Sequence, residues 1–220
     1  MRQPILVCSD RDGTVNRDEN YYLGSDADWK NQLEFLPYVL AGVRLLNERE
    51  IIPVIVTNQS GVALGLLNEA RMHEVNRHVI DLASGAGSHF GGYVACPYVD
   101  EDYAKKATAK GRRLIREYVR DGHPDIKPRI GMLEQAAALQ FQGQKLEECR
   151  VYVIGDRLSD VELGLNGGGV GILIESPKTR ELGDLEKAKG LQERFPGRVH
   201  ISTDYFAAAQ IILSLICSAS

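Results

Sequence analysis

Residues 5–14 read Ile5-Leu6-Val7-Cys8-Ser9-Asp10-Arg11-Asp12-Gly13-Thr14, a short apolar run that stops at two carboxylates two positions apart and a glycine. An apolar run of this length, bounded by turn residues, predicts a strand over Ile5–Ser9 that is covered on both faces, as in parallel sheets. Open parallel sheets bind ligands at the C-terminal edge of their strands, so Asp10 and Asp12 stand where chemistry is expected. At ~4 Å two such carboxylates repel by about 4 kcal/mol at an effective dielectric near 20. A hard cation such as Mg²⁺, which prefers carboxylate, carbonyl and water oxygens, would offset that and also accept phosphate oxygens. The plain alternative is an Asx turn that merely ends the strand. A calcium loop is discarded, because its glycine comes sixth and Gly13 comes fourth.

The same apolar-run rhythm recurs along the chain, at Val54–Thr57, Gly92–Cys96, Val151–Ile154, Val170–Ile174 and Val199–Ile201. Helical stripes lie between these strands. Leu36, Val39, Leu40, Val43 and Leu46 fall on one helix face, as do Met72, Val75, Val79 and Leu82. Ala208, Ala209, Ile212, Leu215 and Ile216 repeat the pattern behind Asp204 as N-cap. Strands alternating with helices predict an α/β fold, a Rossmann-like three-layer sandwich around a mostly parallel sheet. The glycine-rich stretches Gly85–Gly92 and Gly164–Gly171 read as loops, and neither has the spacing or placement of a nucleotide-binding turn.

Composition agrees with a single globular domain over residues 1–220. The chain is 44% hydrophobic and 25% charged, with 26 Lys plus Arg against 30 Asp plus Glu, a net charge of −4. That charge gives no long-range attraction for nucleic acid or for an anionic membrane, and nucleic acid is a disfavoured partner. No stretch approaches the ~18 apolar residues of a membrane span, and no secretory signal is legible. The four scattered cysteines, Cys8, Cys96, Cys149 and Cys217, form no C-x-x-C pair and read as reduced thiols in a cytoplasmic protein.

Three further segments join the Asp-x-Asp turn. The second strand runs into Thr57-Asn58-Gln59-Ser60-Gly61, whose hydroxyl, amide and backbone N–H groups suit phosphate oxygens, though the stretch is also a good loop. Lys127-Pro128 places one cation ahead of a helix expected near Gly131, and a single lysine is usually solvated surface. The fourth strand ends in Gly155-Asp156-Arg157-Leu158-Ser159-Asp160, again setting acids at a strand's C-terminal edge; Asp160 alone could be a first-turn helix acid.

Together these segments resemble, in order and across nearly the whole chain, the four motifs of the haloacid dehalogenase-like (HAD) phosphohydrolases. Asp10-Arg11-Asp12-Gly13-Thr14-Val15-Asn16, Thr57 to Gly61 with Ala63 and Gly65, Cys96-Pro97, Lys127-Pro128 and Gly155-Asp156 are similar to the histidinol-phosphatase and heptose-bisphosphate-phosphatase branch, subfamily IIIA. The resemblance implies that Asp10 is the nucleophile and Asp12 the general acid/base. It further implies that Mg²⁺ is held by Asp10, Asp12 through its backbone carbonyl, and Asp156. Thr57, Asn58 and Lys127 would cradle the phosphate, and Asp160 would orient Lys127 or a metal-bound water. The implied substrate is a small phosphorylated metabolite, first a sugar phosphate of the heptose-bisphosphate type. Histidinol phosphate comes second and a polynucleotide 3′-phosphate third. A phosphotransferase, or a binding module that only senses a phospholigand, would use the same cradle, though pure binding does not require Asp12.

The chain departs from that branch in ways that bear on substrate. The resemblance implies a zinc loop with C-x-H after the third strand and C-x-C before the Lys-Pro pair. Here Tyr98 follows Cys96-Pro97, and Pro124-Asp125-Ile126 stands at the later positions, so no structural zinc is expected. The arginine that relatives place before the lysine is Ile126. Only 44 residues separate Asp12 from Thr57, which leaves no room there for a large cap domain. A basic helical insert is expected at about 98–126; its segment Ala104 to Arg120 carries Lys105, Lys106, Lys110, Arg112, Arg113, Arg116 and Arg120 against Glu117. It reads as a solvated amphipathic helix, with a local funnel for a phosphorylated substrate as the sharper reading. Tyr21, Tyr22 and Trp29, in the loop after the nucleophile, and Gln59 are candidates to border the substrate or simply to pack the loop down.

Overall fold

The computed structural model describes residues 3–18 and 22–218. Six strands, β1 (Ile5–Ser9), β2 (Val54–Asn58), β3 (Tyr93–Cys96), β4 (Arg150–Gly155), β5 (Val170–Ile174) and β6 (Val199–Ser202), form one sheet in the order β3-β2-β1-β4-β5-β6. Every pairing is parallel, so the sheet expected to be mostly parallel is wholly so among the described residues. The helices are α1 (Trp29–Gln32), α2 (Val39–Asn47), α3 (Ser60–Ala63), α4 (Glu69–Gly85), α5 (Glu101–Ala109), α6 (Gly131–Gln140), α7 (Leu158–Asn166), α8 (Pro177–Glu181), α9 (Asp184–Arg194) and α10 (Tyr205–Ser218).

Successive strand residues point to opposite faces, and both faces are covered, which is why the strands read as unbroken apolar runs. Val7, Ile55, Ile154 and Ile172 pack with α2, α4 and α10 on one side. Leu6, Cys8, Val54, Val56 and Val153 pack with Met132, Leu133, Ala136 and Ala137 of α6 on the other. Asp204 caps α10 as expected, its Oδ1 accepting the Ala207 N–H at 2.8 Å. No helix among the described residues is long and apolar enough to cross a membrane.

Three local expectations are corrected. The basic insert is helical only as far as Ala109. Gly111 takes a left-handed φ of 73°, and residues 110–115 leave the helix, followed by a single tight turn at Arg116–Tyr118. Of the glycines read as loops, Gly85 ends α4, Gly164 lies inside α7 and Gly171 inside β5. A side chain at Gly164 or Gly171 would meet backbone of the facing element at 2.6 and 2.5 Å, so close helix-to-strand packing is what these two permit. Leu82, placed on the buried face of α4 by its spacing, is 42% exposed.

The sheet order reverses at β1. Asp10 and Asp156 leave the C-terminal ends of the adjacent strands β1 and β4, held in register by Ser9 opposite Ile154 and by the Asp10 N–H on the Ile154 carbonyl at 2.8 Å. Thr57 is the last residue but one of β2, on the other side of β1. Such a reversal opens a crevice between the diverging connections, and Asp10 and Thr57 line it, while Asp156 is buried and does not.

Candidate active site

Lys127, from the segment before α6, lies at the centre of the crevice. Its Nζ donates to Asp10 Oδ1 at 2.6 Å and to Asp160 Oδ1 at 2.7 Å. The Lys127 amide faces the Asn58 side chain, whose Oδ1 lies 3.5 Å away. Asp160 reaches Lys127 from the first turn of α7, where its other oxygen accepts the Arg157 N–H at 3.1 Å. A β-carbon at Gly155 would stand 2.2 Å from the Asp160 carboxyl carbon, so the glycine ending β4 makes room for it.

One oxygen from each of Asp10, Asp156 and Asp160 lies within 4.8 Å of the others. Asp156 is 1% exposed, and neither of its oxygens has a hydrogen-bond partner. Burial, with Asp10 and Asp160 nearby, raises its pKa well above the usual carboxylate range. Burial likewise pushes Asp10 up to about 7, against the pull of Lys127 and with Asp160 adding to the rise. The attraction of both carboxylates outweighs burial at Lys127 and raises its pKa, so the ammonium stays charged. A buried carboxylate without a partner is costly unless a cation meets it, so the cluster fits a hard divalent ion.

Asp12 has a different environment. Burial works against its charge, but the Arg11 guanidinium, Nη2 to Oδ2 at 2.7 Å, holds its carboxyl below the usual range. Gln59 Nε2 at 2.8 Å and Asn16 Nδ2 at 3.1 Å donate to the same carboxylate. Gln59 also donates to Thr57 Oγ1 at 2.9 Å, linking the ends of β1 and β2. The carboxylate of Asp12 is thus engaged by its own network and does not belong to the metal-capable trio.

These groups open into a cleft of about 770 Å³. Asp10, Asp12, Thr57, Asn58, Gln59, Lys127 and Asp160 all line it, as does Tyr22. Trp29 does not: it is 2% exposed, edge-on to His78 at 5.2 Å in the core, so of its two readings the structure favours packing the loop down over bordering the substrate. Tyr21 lies outside the described residues. Arg11, Asn16, Arg157 and Lys178 were not singled out from sequence. Arg11 stands between the two acids, and nothing in that spacing signals its bonds to Asp12 and Asn76, while Lys178 pairs with Asp18 across 160 residues, which no local pattern signals.

The segment after β3 carries a cluster of tilted rings. Tyr98 lies 4.2 Å from the His123 ring and 6.0 Å from Tyr118, with the Arg120 guanidinium 4.6 Å from its centroid. Burial pushes the neighbouring Cys96 thiol up to about 12.

Fold and cleft together fit a hydrolase of the HAD type, with Asp10 and Asp12 at a sheet switch point and a buried lysine between Asp10 and Asp160. The sequence model of HAD-hydrolase-like proteins matches residues 126–195. The chain is 30% identical over 166 residues to a D-glycero-β-D-manno-heptose-1,7-bisphosphate 7-phosphatase of Rhodopseudomonas palustris, covering 76% of this chain and 81% of that one. It is 27% identical over 186 residues to a D-glycero-D-manno-heptose-1,7-bisphosphate 7-phosphatase of Chlorobaculum tepidum, covering 82% and 83% of the two chains. Its fold is similar to a D,D-heptose 1,7-bisphosphate phosphatase from B. bronchiseptica, crystallised with magnesium and phosphate. That likeness has a TM-score of 0.69 at 23% identity and covers 96% of this chain and 98% of the other. The chain belongs to the HAD-like hydrolases and is a phosphatase of that family.

Proposed function

We propose that this chain is a Mg²⁺-dependent phosphomonoester hydrolase that acts through an aspartyl-phosphate on Asp10. Its substrate in this reading is a small phosphorylated sugar of the heptose-bisphosphate type, met in the cytoplasm. The observation that carries the reading is the unpartnered, buried carboxylate of Asp156 within 4.8 Å of Asp10, itself paired to Lys127. The names of the relatives support the substrate class. Asp10 and Asp156, with the backbone carbonyl of Asp12, would hold the ion. When bound, it would neutralise the charge between carboxylate and phosphate.

The chain's own residues would do the rest. An Asp10 oxygen attacks phosphorus as the bond from phosphorus to the leaving oxygen breaks, and Asp12 gives that oxygen a proton. Arg11 keeps Asp12 ionised in the free protein; a phosphate brought beside it raises its proton affinity, since like charge disfavours the ionised form, so Asp12 takes up a proton from solvent as substrate binds and carries it into this step. In the second step Asp12 takes a proton from water as the water oxygen attacks phosphorus, which frees inorganic phosphate and restores the Asp10 carboxylate. Thr57, Asn58 and Lys127 would hold the transferring group, with Lys127 offsetting charge on its oxygens. Asp160 fixes the position of Lys127.

The test is release of inorganic phosphate from heptose 1,7-bisphosphate, histidinol phosphate and a 3′-phosphorylated oligonucleotide, each with Mg²⁺ and with Asp10→Asn as control. Release from the heptose compound by the wild type alone supports the reading. A folded, Mg²⁺-binding protein that releases phosphate from none of them overturns it.

A further inference from the structure

Five cationic side chains line the cleft. Four of them are closed by carboxylates: Arg11 by Asp12, Lys127 by Asp10 and Asp160, Arg157 by Asp184 and Lys178 by Asp18. The fifth, Arg112, meets no carboxylate among the described residues. Its Nη1 donates to the Tyr22 hydroxyl at 2.7 Å, and its guanidinium lies 5.9 Å from the Tyr22 ring centroid. A guanidinium has five N–H donors, and a phenol does not neutralise its charge. Tyr103, on the same wall, interacts with both.

Arg112 is exposed, yet its backbone is well placed. The Arg112 N–H bonds the Ala107 carbonyl at 3.0 Å and the Gly111 N–H bonds the Thr108 carbonyl at 2.9 Å, the double closure of a left-handed helix end. Three residues later the Ile115 N–H bonds the Ala63 carbonyl at 2.8 Å. The stretch leaving α5 is therefore tied at both ends and carries Arg112 to the mouth of the cleft. This is the one uncompensated positive charge lining the cleft among the described residues, and it belongs to an element separate from the phosphate cradle.

We propose that Arg112, with the Tyr22 hydroxyl beside it, binds a second anionic group of the substrate, a phosphate that is not transferred. It is then a specificity-determining residue that favours doubly over singly phosphorylated sugars; this rests on the phosphatase reading above. Charge-assisted bonds from a guanidinium to phosphate are strong and geometrically selective, so the effect falls on affinity rather than on the chemical step.

The experiment compares kcat and KM for heptose 1,7-bisphosphate and heptose 7-phosphate in the wild type, Arg112→Gln, Arg112→Lys and Arg113→Gln. Arg113 is exposed and does not line the cleft. We expect the preference for the bisphosphate, as a ratio of kcat/KM, to fall at least 10-fold in Arg112→Gln through KM. Arg112→Lys should recover part of it and Arg113→Gln should keep it. A wild type that turns over both sugars with a ratio unaltered by Arg112→Gln overturns this inference and leaves the phosphatase reading standing. A wild type inactive on both sugars but active on another phosphomonoester overturns this inference together with the heptose substrate, and leaves the phosphatase chemistry standing. A 3′-phosphorylated oligonucleotide also presents further phosphates; selective loss of its turnover in Arg112→Gln, with the sugar ratio unchanged, overturns the small-molecule assignment.

Discussion

The Nζ of Lys127 stands 2.6 Å from Oδ1 of Asp10, an ion pair closed across 117 residues of chain with side-chain exposures of 2% and 11%. Removing the lysine alone would strand Asp10 and Asp160 in the interior, and loss of one partner of a buried pair costs about 3–5 kcal/mol. Lys127→Met should therefore lower the urea midpoint at pH 8 and abolish phosphate release. The loss should shrink at pH 5, where Asp10, already raised to about 7, takes up a proton instead. Adding Asp160→Asn should return part of the stability and none of the activity. An unchanged midpoint for Lys127→Met at pH 8 would contradict the pairing.

Asp156 presents the reverse case. Its carboxylate is buried without a hydrogen-bond partner, so in the metal-free protein it is a source of instability. Asp156→Asn should raise the melting temperature of the metal-free protein while removing the further rise that Mg²⁺ gives the wild type. Thermal melts with and without the ion separate the two effects. A variant that is less stable without metal, or still stabilised by it, would show that Asp156 is satisfied in some other way.

The pH dependence follows from the same carboxylates. Asp10 and Asp156 are both raised on folding, chiefly by burial, so between the ordinary carboxylate range and about 7 the folded state binds more protons than the unfolded one. Stability from these groups is complete below the unfolded pKa and is lost as pH rises through the folded values. Asp12 is shifted the other way, and its contribution is lost only in strong acid as pH falls through its lowered pKa. The metal-free protein should thus melt lower at pH 7.5 than at pH 5.5. Because a cation binds the deprotonated carboxylates, Mg²⁺ should raise the melting temperature more at pH 7.5 than at pH 5.5. Equal rises at the two pH values would speak against binding at this cluster.

Much of this arrangement is legible in the chain because it sits at strand ends. The apolar runs before Asp10, Thr57 and Asp156 are interior strands, and parallel order brings their last residues to one edge. Lys127 stands on no strand, and its place depends on a long connection; the family resemblance, not periodicity, identifies it. What escaped is long-range or local-geometric. Arg11 bonds Asn76 from 65 residues away, and Trp29 is drawn into the core beneath α4 rather than into the cleft. The insert's helix stops before Gly111, whose positive φ is the ordinary mark of a helix end inside a run of charged residues.

Two glycines beside the acids allow the metal cluster and the lysine pair to be separated. Gly13 has a φ of 87°, and a β-carbon there would stand 2.5 Å from Asp156 Oδ2. At Gly155 the backbone is ordinary, and the obstruction is Asp160 at 2.2 Å. Overpacking of this kind typically costs 1–3 kcal/mol, so about that loss is expected at Gly155 and more at Gly13, where the backbone is strained as well. Gly13→Ala pushes on the carboxylate without a partner and should weaken Mg²⁺ binding measured by calorimetry. Gly155→Ala pushes on the partner of Lys127 and should leave Mg²⁺ binding within a few-fold of wild type while lowering kcat more than 10-fold. Equal loss of Mg²⁺ affinity in both variants would mean that Asp160 belongs with Asp156 in holding the ion, rather than with Lys127 in placing the ammonium.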